Sequence, residues 1–413
     1  MTAATSAPGR DQHRPPGDRS GPALAVIPVS CQFEHMAVNQ RLRALLDLAD
    51  VQIITSHPGS VPPDIAGRAR IRSFPLSRRL PATVLRAPVF AAEVTLWSLA
   101  RWLAGRRYPV VYTLADPSAA AGRLLRAPSG RWVIDVLDDP AQSLGNAVRS
   151  AQRLKAALLQ ARDRVVSGLL PMADVVLTIG LRSDDPLPRL LTEHYGVAAR
   201  RIVPVRQSVE IARVRQTALA RSHNGPGGPG HPTPSAAFVG YISRLRGVDT
   251  LLRAAAVLYD RGLRIDLVLV GHLKSRDRAW LDAACAHLPG IRYAGVLPSA
   301  DALAEMARAT VGVLPFPDRR ETAPVQAVTG IEYLALGKPI VATDLPGARA
   351  LVDQGENGIL VPPGDAVAMA DAIAAIVTNS ELAASMGRAS YERAEMFDAT
   401  IVRREVTHAL GNR

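Results

Sequence analysis

With 413 residues the chain exceeds what one ordinary hydrophobic core organises, so two domains are the default. Hydrophobic residues make up 48% and aromatics 4%, a globular composition well able to bury a large core; no stretch reaches the roughly 18 uninterrupted apolar residues of a membrane span. The formal charge of +12, carried mostly by arginine, favours an anionic partner such as a nucleotide-linked substrate, an acidic membrane surface or nucleic acid, although an arginine-rich proteome gives the same balance.

Residues 1–22 carry Pro, Gly and charges without an apolar run and read as a disordered tail, not a signal peptide. "ALAVIPVS" (23–30) is expected to form a buried parallel strand. Val38, Leu42, Leu45, Leu46 and Leu48 then recur at helical spacing, and "VQIITS" (51–56) is β-branched. Together these make a βαβ unit, which crosses over right-handedly. "PVFAAEVTLWSLARWLAG" (88–105) is broken by Glu93 and Arg101 and followed by Arg106 and Arg107. Phe90, Val94, Trp97 and Leu96, Leu99, Leu103 fit a helical face, so the segment either packs on a sheet or rests on anionic lipid, and 88–107 is the candidate peripheral membrane contact. The alternation continues through "VVYTL" (110–114), a small-residue helix (117–127), "WVIDVLD" (132–138), a long helix near 147–170, "ADVVLTIG" (173–180), a helix over 185–195 and "RIVPV" (201–205).

Residues 221–235 have the Gly/Pro density of a connector, and a linker is expected over 213–235. Strands and helices then alternate again through "AAFVGYI", "IDLVLVG", "IRYAG", "VGVLPF", "PIVATD" and "GILVPP". The fold class is therefore α/β, with two doubly wound Rossmann-like domains, 23–212 and 236–385, facing across a cleft, because ligands bind at the carboxyl ends of such strands. A charged helix (391–410) within 386–413 is positioned to cross back to the first domain. Cys31 and Cys285 fall in different domains, so neither a disulfide nor a metal site is expected, which suits a reducing cytoplasm.

"FVGYISRLRGVDTLLRAAAVL" sets Gly240 at a strand end and Arg246 and Gly247 just before a helix. A glycine lets backbone amides approach a phosphate, the helix N-terminus adds positive potential, and Arg244 and Arg246 supply charge for a diphosphate. The same residues also read as a structural turn with solvated arginines. Gly271, and Gly295 followed by Val296, stand at further strand ends and leave room for a flat base. The loop 316–328 carries Asp318, Arg319, Arg320 and Glu321, and Glu332 sits on the next helix as an acceptor for sugar hydroxyls or as a helix-dipole acid. In the first domain, Gln32, Glu34 and His35, or Asp135, Asp138 and Asp139, are placed to orient an acceptor hydroxyl, although a loop His and strand-end Asp are commonly incidental or capping. No phosphate-loop lysine motif, nucleophile elbow or His/Cys metal spacing occurs, and the first strand lacks the dinucleotide glycine fingerprint.

The second half resembles the family 4 retaining glycosyltransferases, whose two-Rossmann fold is called GT-B. "VGYISRLRGVDTLL" resembles the family's diphosphate-gripping turn, and "GIEYLALGKPIVATDLPGARALV" with "ENGILVPPGD" resembles its most recognisable stretch. The resemblance implies sugar transfer from a nucleoside diphosphate sugar to an acceptor hydroxyl with retention, in polysaccharide, glycolipid or secondary-metabolite biosynthesis. It makes the first domain the acceptor side (Gln32, His35, Asp138) and the second the donor side (Gly240, Tyr241, Arg244, Arg246, Gly271, Val296, Glu332). Glu332 corresponds to the second acid of a Glu-x7-Glu motif that holds the ribose; Pro324 stands at the first, with Glu321 three residues early. Tyr241 occupies the position of the family's diphosphate Arg, and Arg246 that of its Lys. Arg246, Arg320 and Glu321 are the candidate catalytic residues, with Arg244 assisting. The implied co-substrate is the sugar nucleotide, with no cofactor, metal or nucleic acid, in the cytoplasm or at the inner membrane face. A nucleotide-sugar epimerase and a catalytically silent GT-B partner are the alternatives.

Overall fold

The computed structural model describes residues 22–27, 36–80, 86–139, 153–222, 234–319 and 327–411. Most of the expected tail and the candidates Gln32, His35, Arg320, Glu321 and Pro324 lie outside the described residues.

The first sheet contains β1 (Ala23–Ile27), β2 (Val51–Thr55), β3 (Arg70–Arg72), β4 (Tyr108–Leu114), β5 (Arg126–Val136), β6 (Val175–Ile179) and β7 (Ile202–Val205) in the order β3-β2-β1-β4-β5-β6-β7. All neighbours are parallel. β1 is buried along its whole length because helices cover both faces, and its alternation divides the two cores. Ala23, Ala25 and Ile27 join the cluster beneath helix Met36–Leu48, whereas Leu24 and Val26 join Phe90 and Val94 of helix Arg86–Leu103. The edge strand β3 has no counterpart in the sequence reading: three residues, Arg-Ile-Arg, are too short and too charged to register as a buried strand.

The second sheet contains β8 (Ser235–Val239), β9 (Asp266–Val270), β10 (Ile291–Gly295), β11 (Val311–Leu314), β12 (Ile340–Thr343) and β13 (Gly358–Val361), all parallel, in the order β10-β9-β8-β11-β12-β13. Close approach is enforced by small residues: a Cβ on Gly312 would stand 2.5 Å from the ring of Tyr333, whose hydroxyl donates to the Ala237 carbonyl at 2.8 Å.

Two expectations are corrected. The linker over 213–235 begins inside a helix, Ile211–Ser222, which packs on helix Ser299–Arg308 through an apolar face that includes Val214. The single helix over 391–410 is two, Ser380–Ala394 and Ala399–Gly411, parted by a break at which the Asp398 carboxylate accepts from the Ile211 and Thr400 amides. At that break the chain crosses itself: Val209 N–H donates to Phe397 (3.1 Å) and Ala399 N–H to Val209 (2.9 Å). Helix Ala399–Gly411 then buries Val402, Val406 and Leu410, four residues apart, in the first-sheet core.

Candidate active site

The strand ends of β8, β9 and β10 are sewn together by glycine. Gly240 N–H donates to Val270 O at 2.9 Å and Gly271 N–H to Gly295 O at 2.8 Å. Gly271 has φ +134°, and a Cβ there would meet the Gly240 carbonyl oxygen at 1.9 Å. Gly247 is more constrained still. It holds φ +75° at the N-terminus of helix Val248–Asp260, and a Cβ would lie 1.6 Å from the Pro315 carbonyl oxygen at the end of β11. Only glycine lets the turn carrying Arg246 seat against that strand end.

Around this turn lies a pocket of about 330 Å³, at the lower end for a small-molecule site, lined by Tyr241, Ser243, Arg244, Arg246, His272, Lys274 and Asp277 among others. Tyr241 is 56% exposed and its ring meets His272 edge-on at 5.5 Å. Arg244 leans aside over the Trp280 ring at 5.1 Å, while Arg246 lies over Phe316 at 5.5 Å. Burial lowers the pKa of the Arg246 guanidinium, and the nearby negative charge of Asp138 partly opposes that. Asp138, exposed just beyond β5, is thus brought close enough to Arg246 to act on it electrostatically across the two sheets.

Glu332 occupies the second turn of helix Val328–Ala335, not its first, which removes the simplest helix-dipole explanation. It is partly buried, and burial alone pushes its carboxyl up to about 7. Val296 is 69% exposed after Gly295, which has φ +76°. Neither His272 nor Lys274 was singled out from the sequence. The signal was there: "GHLK" places two basic side chains immediately after the strand-end Gly271.

On the first sheet, Asp135 is consumed internally. It is buried, ion-paired to Arg41, and accepts from the Tyr112 hydroxyl. Asp139 accepts from the Tyr195 hydroxyl at 2.9 Å, which leaves Asp138 as the member of that triplet turned to the second sheet. Among the described residues, no three His, Cys, Asp or Glu side chains converge as metal ligands.

The glycosyl transferases group 1 family matches residues 233–379. A D-inositol 3-phosphate glycosyltransferase of Pseudarthrobacter chlorophenolicus is 30% identical over 219 residues, 50% of this chain and 49% of that one. The chain thus spans about half the length of the first curated relatives it matches. Sucrose-phosphate synthase from Thermosynechococcus elongatus superposes with a TM-score of 0.67 at 21% identity, covering 94% of this chain and 97% of that one. Anabaena HepE in complex with UDP gives 0.67 at 16% identity, covering 95% and 100%. Residues 233–379 therefore resemble the glycosyl transferases group 1 family, and the described residues share the two-sheet GT-B fold of these solved structures.

Proposed function

We propose that this protein transfers a glycosyl group from a nucleoside diphosphate sugar to an acceptor hydroxyl with retention of configuration. The observation that carries the reading is the pocket beside Gly247, where Arg246, His272 and Lys274 gather against a single carboxylate, Asp277. A diphosphate leaving group gains negative charge as the glycosidic bond breaks. A partly desolvated guanidinium stabilises that charge more in the transition state than in the ground state. Arg246 takes this role, Lys274 supplies the cationic charge that Tyr241 does not, His272 offers a ring N–H to a phosphate oxygen, and Glu332 accepts from the ribose hydroxyls. Arg320 and Glu321 assist from the loop before Glu332, and Asp138 faces the reacting sugar and acceptor from the first sheet. No cofactor is invoked, and a cytoplasmic supply of sugar nucleotide fits the chemistry. HepE was crystallised with UDP and with UDP-glucose, which makes uridine diphosphate sugars the first donors to try.

The test is a thermal-shift screen across nucleoside diphosphates and their sugars, followed by incubation with the stabilising donor and NMR of the anomeric product. Slow donor hydrolysis or transfer with an unchanged anomer supports the reading. Tyr241, standing where the resemblance puts an arginine, favours one rival, a binding subunit without turnover; tight donor binding with no hydrolysis or transfer would select it.

A further inference from the structure

Helices Pro75–Arg79 and Arg86–Leu103 form a fixed pair on the outer side of the first sheet. The Glu93 carboxylate accepts from the backbone amides of Leu76 (2.9 Å) and Ser77 (3.0 Å), and the buried Arg86 side chain donates to the Leu80 carbonyl. Phe90, Val94 and Ser98 face the sheet. The opposite stripe is therefore left outside: Leu96 is 68% exposed, Leu99 43% and Leu103 71%, at i, i+3 and i+7, with Trp102 at 44% and Leu76 at 63%. Scattered exposed leucines need no explanation, but a contiguous stripe on a rigid helix pair does.

Its rim is cationic. Residues 72–107 contain seven arginines, all but the buried Arg86 at least partly exposed, and one acid, Glu93, already bound to two amides. Arg72 and Arg101 lie over the Trp97 ring at 5.7 and 5.2 Å, and Arg107 lies over Trp102 at 5.4 Å, so the basic groups are held beside the apolar stripe. No single helix among the described residues is long and apolar enough to cross a membrane. A second copy of this chain is a poor occupant, since pairing the face with itself would oppose like charges. We propose that this surface docks on an anionic lipid bilayer, with helix Arg86–Leu103 in the interface plane, its leucines and Trp102 at the acyl boundary, and the arginines on headgroup phosphates.

The inference stands apart from the transferase reading, and its experiment keeps the two separable. The full chain is sedimented with vesicles of phosphatidylcholine alone and with vesicles in which half the lipid is phosphatidylglycerol. Binding to the anionic vesicles about tenfold or more above the neutral ones, weakening as salt rises, is expected. The pair Leu96→Ser and Leu103→Ser lowers binding to both about tenfold or more, since each substitution removes an inserted side chain. The pair Arg78→Glu and Arg106→Glu abolishes the anionic preference. Both variants keep the cooperative wild-type melting transition, which shows that they fold. Absence of vesicle binding by a wild-type chain that melts cooperatively overturns this inference alone, whatever the nucleotide screen returns. So does wild-type binding by both variants, or a lipid-free dimer that Leu96→Ser with Leu103→Ser dissociates.

Discussion

The two sheets repeat one strand order, with β3-β2-β1-β4-β5-β6 mirrored by β10-β9-β8-β11-β12-β13, yet their carboxyl edges carry opposite chemistry. On the first, every carboxylate named except Asp138 is tied up by the protein itself: Asp135 with Arg41 and Tyr112, Asp116 with the Ser118 amide, Asp139 with Tyr195. On the second, cations crowd a pocket holding one acid, and Glu332 sits partly buried with a raised pKa. One architecture therefore supports an edge whose carboxylates are mostly satisfied internally and an edge where positive side chains outnumber acids. The fold dictates where a ligand sits; the side chains decide which one.

The comparison breaks first at Asp135. Replacing it by Ala strands the buried Arg41 guanidinium and is expected to cost about 3–5 kcal/mol in denaturant unfolding. Nucleotide affinity of the remaining folded protein should not change; a selective loss of affinity would mean that the first edge is not self-satisfied. Arg246→Ala is expected to leave the melting temperature nearly unchanged while lowering donor turnover about 100-fold or more, roughly 3 kcal/mol of transition-state stabilisation. Wild-type turnover would remove Arg246 from the mechanism.

Glu332 tests the second edge through pH. Its carboxyl is raised from 4.5 to about 7, so between those values the folded state holds more protons than the unfolded one. Stability contributed by this group therefore falls as pH rises through that window, and the full cost, on the order of 3 kcal/mol, persists above it. Glu332→Gln should raise unfolding stability by about 2–3 kcal/mol near pH 8 and hardly at all near pH 4. The same variant should weaken nucleotide binding about tenfold, because a carboxylate accepts stronger hydrogen bonds than an amide. A pH-independent gain would sink the desolvation argument. The smallest effect is expected from Tyr241→Arg: an added cation at an exposed position should tighten UDP binding by about 1 kcal/mol in calorimetry, more at low salt than at high. Weaker binding instead would show that the Tyr241–His272 ring contact is itself part of the donor site.

Much of the frame was legible in the sequence. Buried parallel strands such as "ALAVI" and "VGVL" are apolar on both faces, and each proved a strand. The sequence marks Gly247 and Gly271 as room for a phosphate and a flat base, whereas the structure sets the Pro315 and Gly240 carbonyls where each Cβ would stand. β3 escaped because its pattern is too short to carry a period, and helix Ile211–Ser222 because the Gly/Pro signal just after it dominated the window. The stripe 88–105 reads in the sequence as one helical face with two alternative uses, and only the structure parts the buried Phe90 and Val94 from the exposed Leu96, Leu99 and Leu103.

The sequence by itself thus determined two parallel α/β sheets, the glycine turn before Val248 and an acid at position 332, all of which depend on neighbours along the chain. Only the tertiary structure decided that Asp135 is neutralised by Arg41, 94 residues away, that Asp138 lies within electrostatic range of Arg246, and that burial raises the Glu332 pKa. Charge is written in the sequence, but its energetic meaning depends on water and partners, and folding alone assigns both.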